Sequence, residues 1–285
     1  MAMATLNPAP PLATSRPSKG DALAQMRIAL SYWWRHRRLP DIAQPTRFTE
    51  WVQWRKLHDR DPRQTSLMDK LAAKSFAAQI LGNEWVTPTM WQGISLPEPD
   101  SLIFPAILKA RHGCNQYAVL RDRPGEGDWV RLHHRSQNWM KRPYGVWLDE
   151  WAYRGVPRGL IAEPLICGEG PLPIDYKIYV FRGVATHVQV HLDRASVHRW
   201  VLHDRAFSPL VDTDAEIAPP RSLASMLEAA ETLAGGFDFM RVDFYEIDGK
   251  PRFGEFCLYP GSGLDPFAAD WIDYELGGHW QAALS

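Results

Sequence analysis

The stretch FDFMRVDFYEIDGKPRFGEFCLYPGSG, residues 237–263, reads as a β-hairpin that turns at Asp248-Gly249 and runs into a glycine-rich loop. Arg241 and Asp243 are two apart, so both project from one face of the first strand. Where Glu255 falls depends on the turn. A two-residue turn at Asp248-Gly249 sets Val242 opposite Glu255 and sends the two carboxylates to opposite faces. A three-residue turn over Ile247 to Gly249, with Gly249 left-handed in a bulge, sets Arg241 opposite Glu255 and gathers Arg241, Asp243 and Glu255 on one face. The second arrangement offers two hard carboxylates for Mg²⁺ beside a guanidinium, a set suited to phosphoryl chemistry. A surface ion-pair ladder on an edge hairpin would use the same residues.

Upstream, apolar residues Leu23, Met26, Leu30, Trp33 and Trp34 recur at helical spacing between Asp21 and Arg38, before the basic cluster Arg35-His36-Arg37-Arg38 and Pro40. These charges offset the helix dipole and solvate an exposed end; a membrane-surface or polymer-binding role is the alternative. Further helices are expected over Phe48–Leu57, with Thr46 placed to cap it, and over Met68–Leu81, where Lys70 and Lys74 lie one turn apart; HDRDPR between them reads as a turn. VTPTMW, FPAILKAR and QYAVLRD follow as short strands, then a helix over Ser136–Arg154 despite Pro143, then the strand GLIAEPLI. DYKIYVFRG, VATHVQVHLD and SVHRWVLHD form an antiparallel meander, Ser222–Ala234 a helix stopped by Gly235-Gly236, and Trp271–Leu276 a short closing helix. Helices plus two mostly antiparallel sheets make an α+β fold with a cleft between the sheets.

With 285 residues, 45% hydrophobic and 23% charged, the composition is that of a folded globular protein. Lys+Arg 32 against Asp+Glu 33 leaves a net charge of -1, so no global field attracts nucleic acid or an anionic membrane, and an anion must be held by local groups. Cys114, Cys167 and Cys257 are too widely spaced for a zinc knuckle and odd in number for a disulfide framework; a reducing cytoplasm is the simplest setting. Residues 1–20 are rich in Pro, Ala and Ser, lack a signal-peptide core and read as a disordered tail, and no run is long enough to span a bilayer. The 13 Trp and 9 Tyr fit core packing first and sugar or base stacking second.

Two further features carry chemistry. Lys109 ends the apolar strand of FPAILKAR, so its ammonium must find an anion or solvent, either by binding phosphate or by snorkelling. In GLIAEPLI the Glu163-Pro164 break would make a poor central strand, because Pro164 offers a carbonyl and no N–H. It suits a hinge that reads a purine edge, with the Pro164 carbonyl accepting and the Ile166 N–H donating.

The order of these pieces, together with RFTEWVQWRKLHDRDP, MDKLAAK, LPIDYKIYVFRG, HLDR, FDFMRVDFYEIDGKPRFGE and YPGSG, resembles the ATP-grasp superfamily and most closely its teichuronopeptide-biosynthesis (TupA-like) branch, over Arg47 to Gly278. The resemblance implies two α/β lobes gripping ATP: N-terminal helices over 21–67, a small lobe with a connecting helix over 68–162, and a large lobe with the metal-binding hairpin over 163–285. It implies that Lys70 and Lys109 hold phosphates, that Glu163, Pro164 and Ile166 line the adenine pocket, and that Asp175 takes the ribose hydroxyls. Lys177, two residues on, would contact phosphate or acceptor. Asp243 and Glu255 become Mg²⁺ ligands, Arg241 the stabiliser of charge on the acyl phosphate, and the Gly261 and Ser262 amides carriers of the substrate carboxylate. Arg194 and Arg199 are candidates for an anionic substrate or the γ-phosphate, or are solvated strand ends; His187, His191 and His198 have no metal spacing.

Two departures stand out. Cys257 replaces the usual Asn as third metal ligand, a poor partner for Mg²⁺, and the phosphate-covering turn His112-Gly113-Cys114-Asn115-Gln116 has a single glycine. The implied reaction is ATP-dependent joining of a carboxylate to an amine, on this branch an amino acid to a uronic acid or other carboxylate of a cell-surface polymer or its precursor. Phosphoryl transfer to a hydroxyl, and binding of nucleotide or glycan without turnover, are the rival expectations.

Overall fold

The computed structural model describes residues 19–166, 172–192, 199–214 and 217–285, so most of the expected tail, residues 1–18, lies outside the described residues. The chain opens with four helices: α1 (Lys19–His36), α2 (Phe48–His58), α3 (Pro62–Met68) and α4 (Lys70–Leu81). HDRDPR is thus not simply a turn. Asp61 caps α3 by accepting from Arg63 N, with Pro62 in the first turn, where its missing N–H costs nothing. Asp69 repeats the device for α4, accepting from Leu71 N, so the helix expected from Met68 starts at Lys70.

A four-stranded antiparallel sheet follows, built from β1 (Trp91–Gly93), β2 (Ala106–Ala110), β3 (Tyr117–Leu120) and β4 (Leu160–Pro164) in the order β1-β4-β2-β3. β4 is therefore an inner strand, against expectation. It tolerates Pro164 because β1 reaches only as far as Ala162, and on the β2 side Leu165 N resumes the bonding to Pro105 O at 3.0 Å. The lobe boundary expected at 162/163 falls inside this strand. Ala106, Leu108 and Ala110 face a core shared with Leu132 and Trp139 of α5 (Glu126–Lys141). Ile107 and Lys109 alternate to the other face, with Glu163 paired to Ile107. The helix expected over 136–154 lies upstream as α5, because Pro143 and the left-handed Gly145 and Asp149 break the backbone there.

The second sheet holds β5 (Asp175–Phe181), β6 (Val184–Leu192), β7 (Arg199–Asp204), β8 (Phe239–Ile247) and β9 (Lys250–Cys257), all antiparallel in the order β7-β6-β5-β8-β9. Its back face, with Ile178, Val188, Val242 and Phe244, shares a core with Met226, Ala230 and Leu233 of α6 (Leu223–Ala234). The front face is divided along its length. At one end Tyr179, Phe181 and Phe239 meet Phe48 of α2, and Phe181 and Phe239 also meet Trp280 of α7 (Asp270–Leu284), a helix much longer than the short one expected. Fully buried Arg55 crosses this layer, donating to Phe239 O at 3.0 Å with its guanidinium 4.4 Å from the Trp280 ring centroid. At the other end the same face is polar, and there it meets the first sheet across a cleft.

Candidate active site

The hairpin settles the carboxylates by a route that neither turn alone provides. Asp248 and Gly249, at φ 52 and 72, make the two-residue turn, and Ile247 pairs with Lys250 through to Phe244 with Phe253. The register then slips: Gly254 is the extra residue of a bulge, beyond which Asp243 stands opposite Glu255 and Arg241 opposite Cys257. A Cβ on Gly254 would lie 3.0 Å from Asp243 O and 3.2 Å from the Tyr245 ring, so the bulge depends on glycine. The two carboxylates share a face, as the three-residue turn predicts, yet through a different device.

β5 completes this face, with Lys177 opposite Asp243 and Tyr179 opposite Arg241. Arg241 grips Asp243 in a fork, Nε to Oδ1 and Nη2 to Oδ2, both at 2.7 Å. Lys177 Nζ bridges Asp243 Oδ2 at 2.5 Å and Asp175 Oδ2 at 2.6 Å. All four residues are buried, Asp243 to 1% exposure. Burial alone would raise the Asp243 carboxyl, but the charges of Arg241 and Lys177 outweigh it and hold the group at about 2. Lys177 is likewise raised, because Asp175 and Asp243 outweigh its desolvation. Glu255 is looser: its side chain is 35% exposed, with Lys70 Nζ at 3.5 Å.

Across the cleft, Glu163 is buried and bonded to Lys74 Nζ at 2.5 Å and Lys109 Nζ at 2.7 Å. Burial works to raise its carboxyl, and the two ammonium groups together bring it below the usual range. Lys74 is shifted down, since its own desolvation exceeds the help from Glu163. The Glu163 carboxylate thus belongs to a lysine clamp, a more specific position than the adenine-pocket lining expected of it. Lys70 Nζ donates to Gly113 O at 2.7 Å, tying α4 to the turn at residues 112–116.

Of the residues expected at the site, Lys70, Lys109, Glu163, Pro164, Ile166, Asp175 and Glu255 line one cleft between the sheets, and Lys177, Arg241 and Asp243 lie buried behind its large-sheet wall. Three of the expected residues lie elsewhere. Gly261 and Ser262 do not line this cleft. Both are left-handed, at φ 53 and 58, and Ser262 N–H donates to Tyr259 O at 2.8 Å while Lys56 Nζ donates to its carbonyl and its Oγ, both at 2.7 Å, so Ser262 is engaged inward. Arg199 starts β7, the edge opposite β9, half-exposed and 3.8 Å from Asp214. Arg194 and His198 lie outside the described residues.

The sequence reading missed Lys74 as a clamp member, although its spacing from Lys70 was visible; helical periodicity does not say which turn meets a carboxylate. It also missed Lys56, buried under the PGSG loop near Glu150. Burial outweighs the pull of Glu150 and lowers the Lys56 ammonium to about 8. A lysine that loses its proton more readily folded than unfolded adds stability as pH rises from about 8 towards its unfolded value near 10.4. The melting temperature of Lys56→Met, measured over that range, is expected to lack the part of the pH dependence that Lys56 supplies, on the order of 1–3 kcal/mol.

The donor set also bears on a metal. Asp243 and Glu255 in register suit Mg²⁺, which takes one or two carboxylates and completes its shell with water and substrate phosphate. Cys257, opposite Arg241, adds nothing for this ion, because soft sulfur is a poor ligand for hard Mg²⁺. Among the described residues no cluster of three or more His, Cys, Asp or Glu is arranged to hold an ion by itself.

Two antiparallel sheets enclosing a lysine-bearing cleft, with an Arg-x-Asp strand and an opposed Glu on its wall, define an ATP-grasp protein. The TupA-like ATPgrasp family model matches residues 50–281. The chain belongs to that family. Comparison with curated proteins finds no match. Solved structures similar to it include D-alanine–D-alanine ligase from Bacillus anthracis, at 14% identity and TM-score 0.45 over 76% of this chain and 64% of that one. The ATP-grasp ligase PsnB with its minimal precursor is similar at 13% identity and TM-score 0.44, over 79% and 62%. The L-amino acid ligase from Bacillus licheniformis is similar at 18% identity and TM-score 0.45, over 76% and 49%. The chain thus spans between about half and just under two thirds of these proteins' lengths.

Proposed function

We propose that the chain is an ATP-dependent carboxylate–amine ligase that works through an acyl phosphate, joining an amino acid to a uronic acid or other carboxylate of a cell-surface polysaccharide or its precursor. The observation that carries the reading is that Lys70, Lys109 and Glu255 line one cleft with the Arg241–Asp243–Lys177 cluster buried behind its wall. Family membership and the ligases among similar folds support the reaction class, and the branch supports the polymer context.

In this reading Lys70 and Lys109 neutralise the triphosphate, Pro164 and Ile166 border the base, and Asp175 receives the ribose. Asp243 and Glu255 would hold Mg²⁺, which supplies charge neutralisation between the phosphates when bound. The substrate carboxylate attacks the γ-phosphorus and ADP leaves with the bridging oxygen; an amine then attacks the acyl carbon and phosphate leaves, giving an amide. Arg241, held by Asp243, is set to balance charge on the carbonyl oxygen and leaving phosphate. Most of the rate enhancement is positioning and charge balance; Asp243 and Arg241, paired and buried behind the wall, would meet metal and substrate by exchanging part of that pairing. No helix among the described residues is long and apolar enough to cross a membrane, and a cytoplasmic setting, where ATP is supplied, fits this chemistry.

The test is an ADP-release screen with Mg²⁺-ATP against paired amino acids and uronic acids, with hydroxylamine added. Release of ADP with formation of a hydroxamate is the expected result. A stable phosphorylated alcohol would assign the cleft to phosphoryl transfer, and nucleotide binding without ADP release under any pairing would leave a binding protein.

A further inference from the structure

The helix α1 is turned inside out. Its polar side chains face the protein: Arg27 Nε donates to Asp149 Oδ2 at 2.9 Å, Tyr32 bonds Thr49 at 2.8 Å, Arg35 Nε donates to Leu264 O at 3.0 Å, and His36 lies 3.1 Å from Gly263 O. Only Ile28 and Tyr32 are buried in the ordinary sense. The apolar stripe faces water instead, with Leu23, Met26, Leu30, Trp33 and Trp34 between 48% and 65% exposed. At spacings of three, four, three and one, they form a continuous ridge on one side of the helix. An exposed apolar ridge of this kind marks an interaction surface, and the described residues account only for the opposite, polar face.

The charges around the ridge select the occupant. From Ala22 to Pro40 there is no Asp or Glu; Arg27, Arg35 and Arg38 pair with Asp149, Asp265 and Asp273 of the body, which leaves Arg37 as the charge beside the ridge. Arg37 at the end of the ridge has its guanidinium 5.3 Å from the Trp34 ring and 6.0 Å from the Trp33 ring, and no acidic partner among the described residues. A bilayer surface accepts both parts: acyl chains for Leu23, Met26 and Leu30, the headgroup region for the tryptophans, and lipid phosphate for Arg37. We propose that α1 lies flat on an anionic lipid surface, ridge inward, and holds this protein peripherally at a membrane. The proposal is independent of the ligase reading, because the ridge shares no residue with the cleft.

The experiment is co-sedimentation of the full chain with vesicles of phosphatidylcholine alone and with phosphatidylglycerol added, at low and high salt. Binding is expected to the anionic vesicles, weakened by salt, with little to the neutral ones. Leu30→Glu combined with Trp34→Glu should weaken it at least about tenfold, and Arg37→Glu roughly fivefold or more. Both variants should keep the wild-type melting temperature, since the replaced side chains face solvent. No binding to anionic vesicles, or undiminished binding by the double variant, overturns the proposal. So does a dimer that Leu30→Glu dissociates, which would assign the ridge to a second copy.

Discussion

Asp243→Ala and Glu255→Ala should both lose ADP release by at least about a hundredfold and part company in stability. Asp243 is buried, and its two oxygens satisfy Arg241 and Lys177. Removing it leaves two buried cations with Asp175 as their nearest counter-charge, and breaking such a cluster costs about 3–5 kcal/mol, on the order of 10 °C in melting temperature. Glu255 is partly exposed and has only Lys70 at 3.5 Å, so its loss should cost less than about 1 kcal/mol. Thermal melts beside an ADP-release assay separate the two effects, and equal stability of the two variants would refute the buried cluster. The acid limb gives a second readout. With its folded carboxyl at about 2 against about 3.9 unfolded, Asp243 stabilises the fold fully above pH 4 and loses that contribution as pH falls towards 2. The Asp243→Ala variant should lack this part of the acid transition.

Glu163→Gln is expected to lower stability by about 2–4 kcal/mol and to raise KM for ATP roughly tenfold with a smaller change in kcat. Glu163 holds Lys74 and Lys109 at 2.5 and 2.7 Å across the cleft floor. A glutamine has one carbonyl for two ammonium groups, and Lys109 would lose the contact that aims it along the cleft. Initial-rate measurements over a range of ATP concentrations check the split. A fall in KM would instead mean that Glu163 competes with the phosphates for Lys109.

The departures from expectation differ in cause. Capping by Asp61 and Asp69 is a local property, and Asp-Pro at residues 61–62 was open to a helical reading that the turn reading passed over. The orientation of α1 had no such signal. An apolar stripe at helical spacing normally faces the core, and only the polar grips on the other side, from Asp149, Thr49, Leu264 and Gly263, reverse it. The loop after β9 was similarly opaque: PGSG reads as a backbone cradle, yet Lys56 and Gln53 from α2, two hundred residues earlier, bind its carbonyls from within.

What the chain announces in one dimension is whatever short-range geometry dictates. Arg241 and Asp243 must share a strand face at a period of two, Asp248-Gly249 must turn, and the succession of helices, strands and lysines follows from periodicity and punctuation, enough for the α+β class and the ATP-grasp order. Folding decided the placement of Glu255. That depends on a bulge at Gly254, where one glycine lets the backbone press against Asp243 and Tyr245, and the slip brings two carboxylates face to face. Pairing between distant segments is likewise beyond local pattern: Lys177 meets Asp243, and Glu163 meets Lys74 and Lys109, because buried charges settle only where partners meet them.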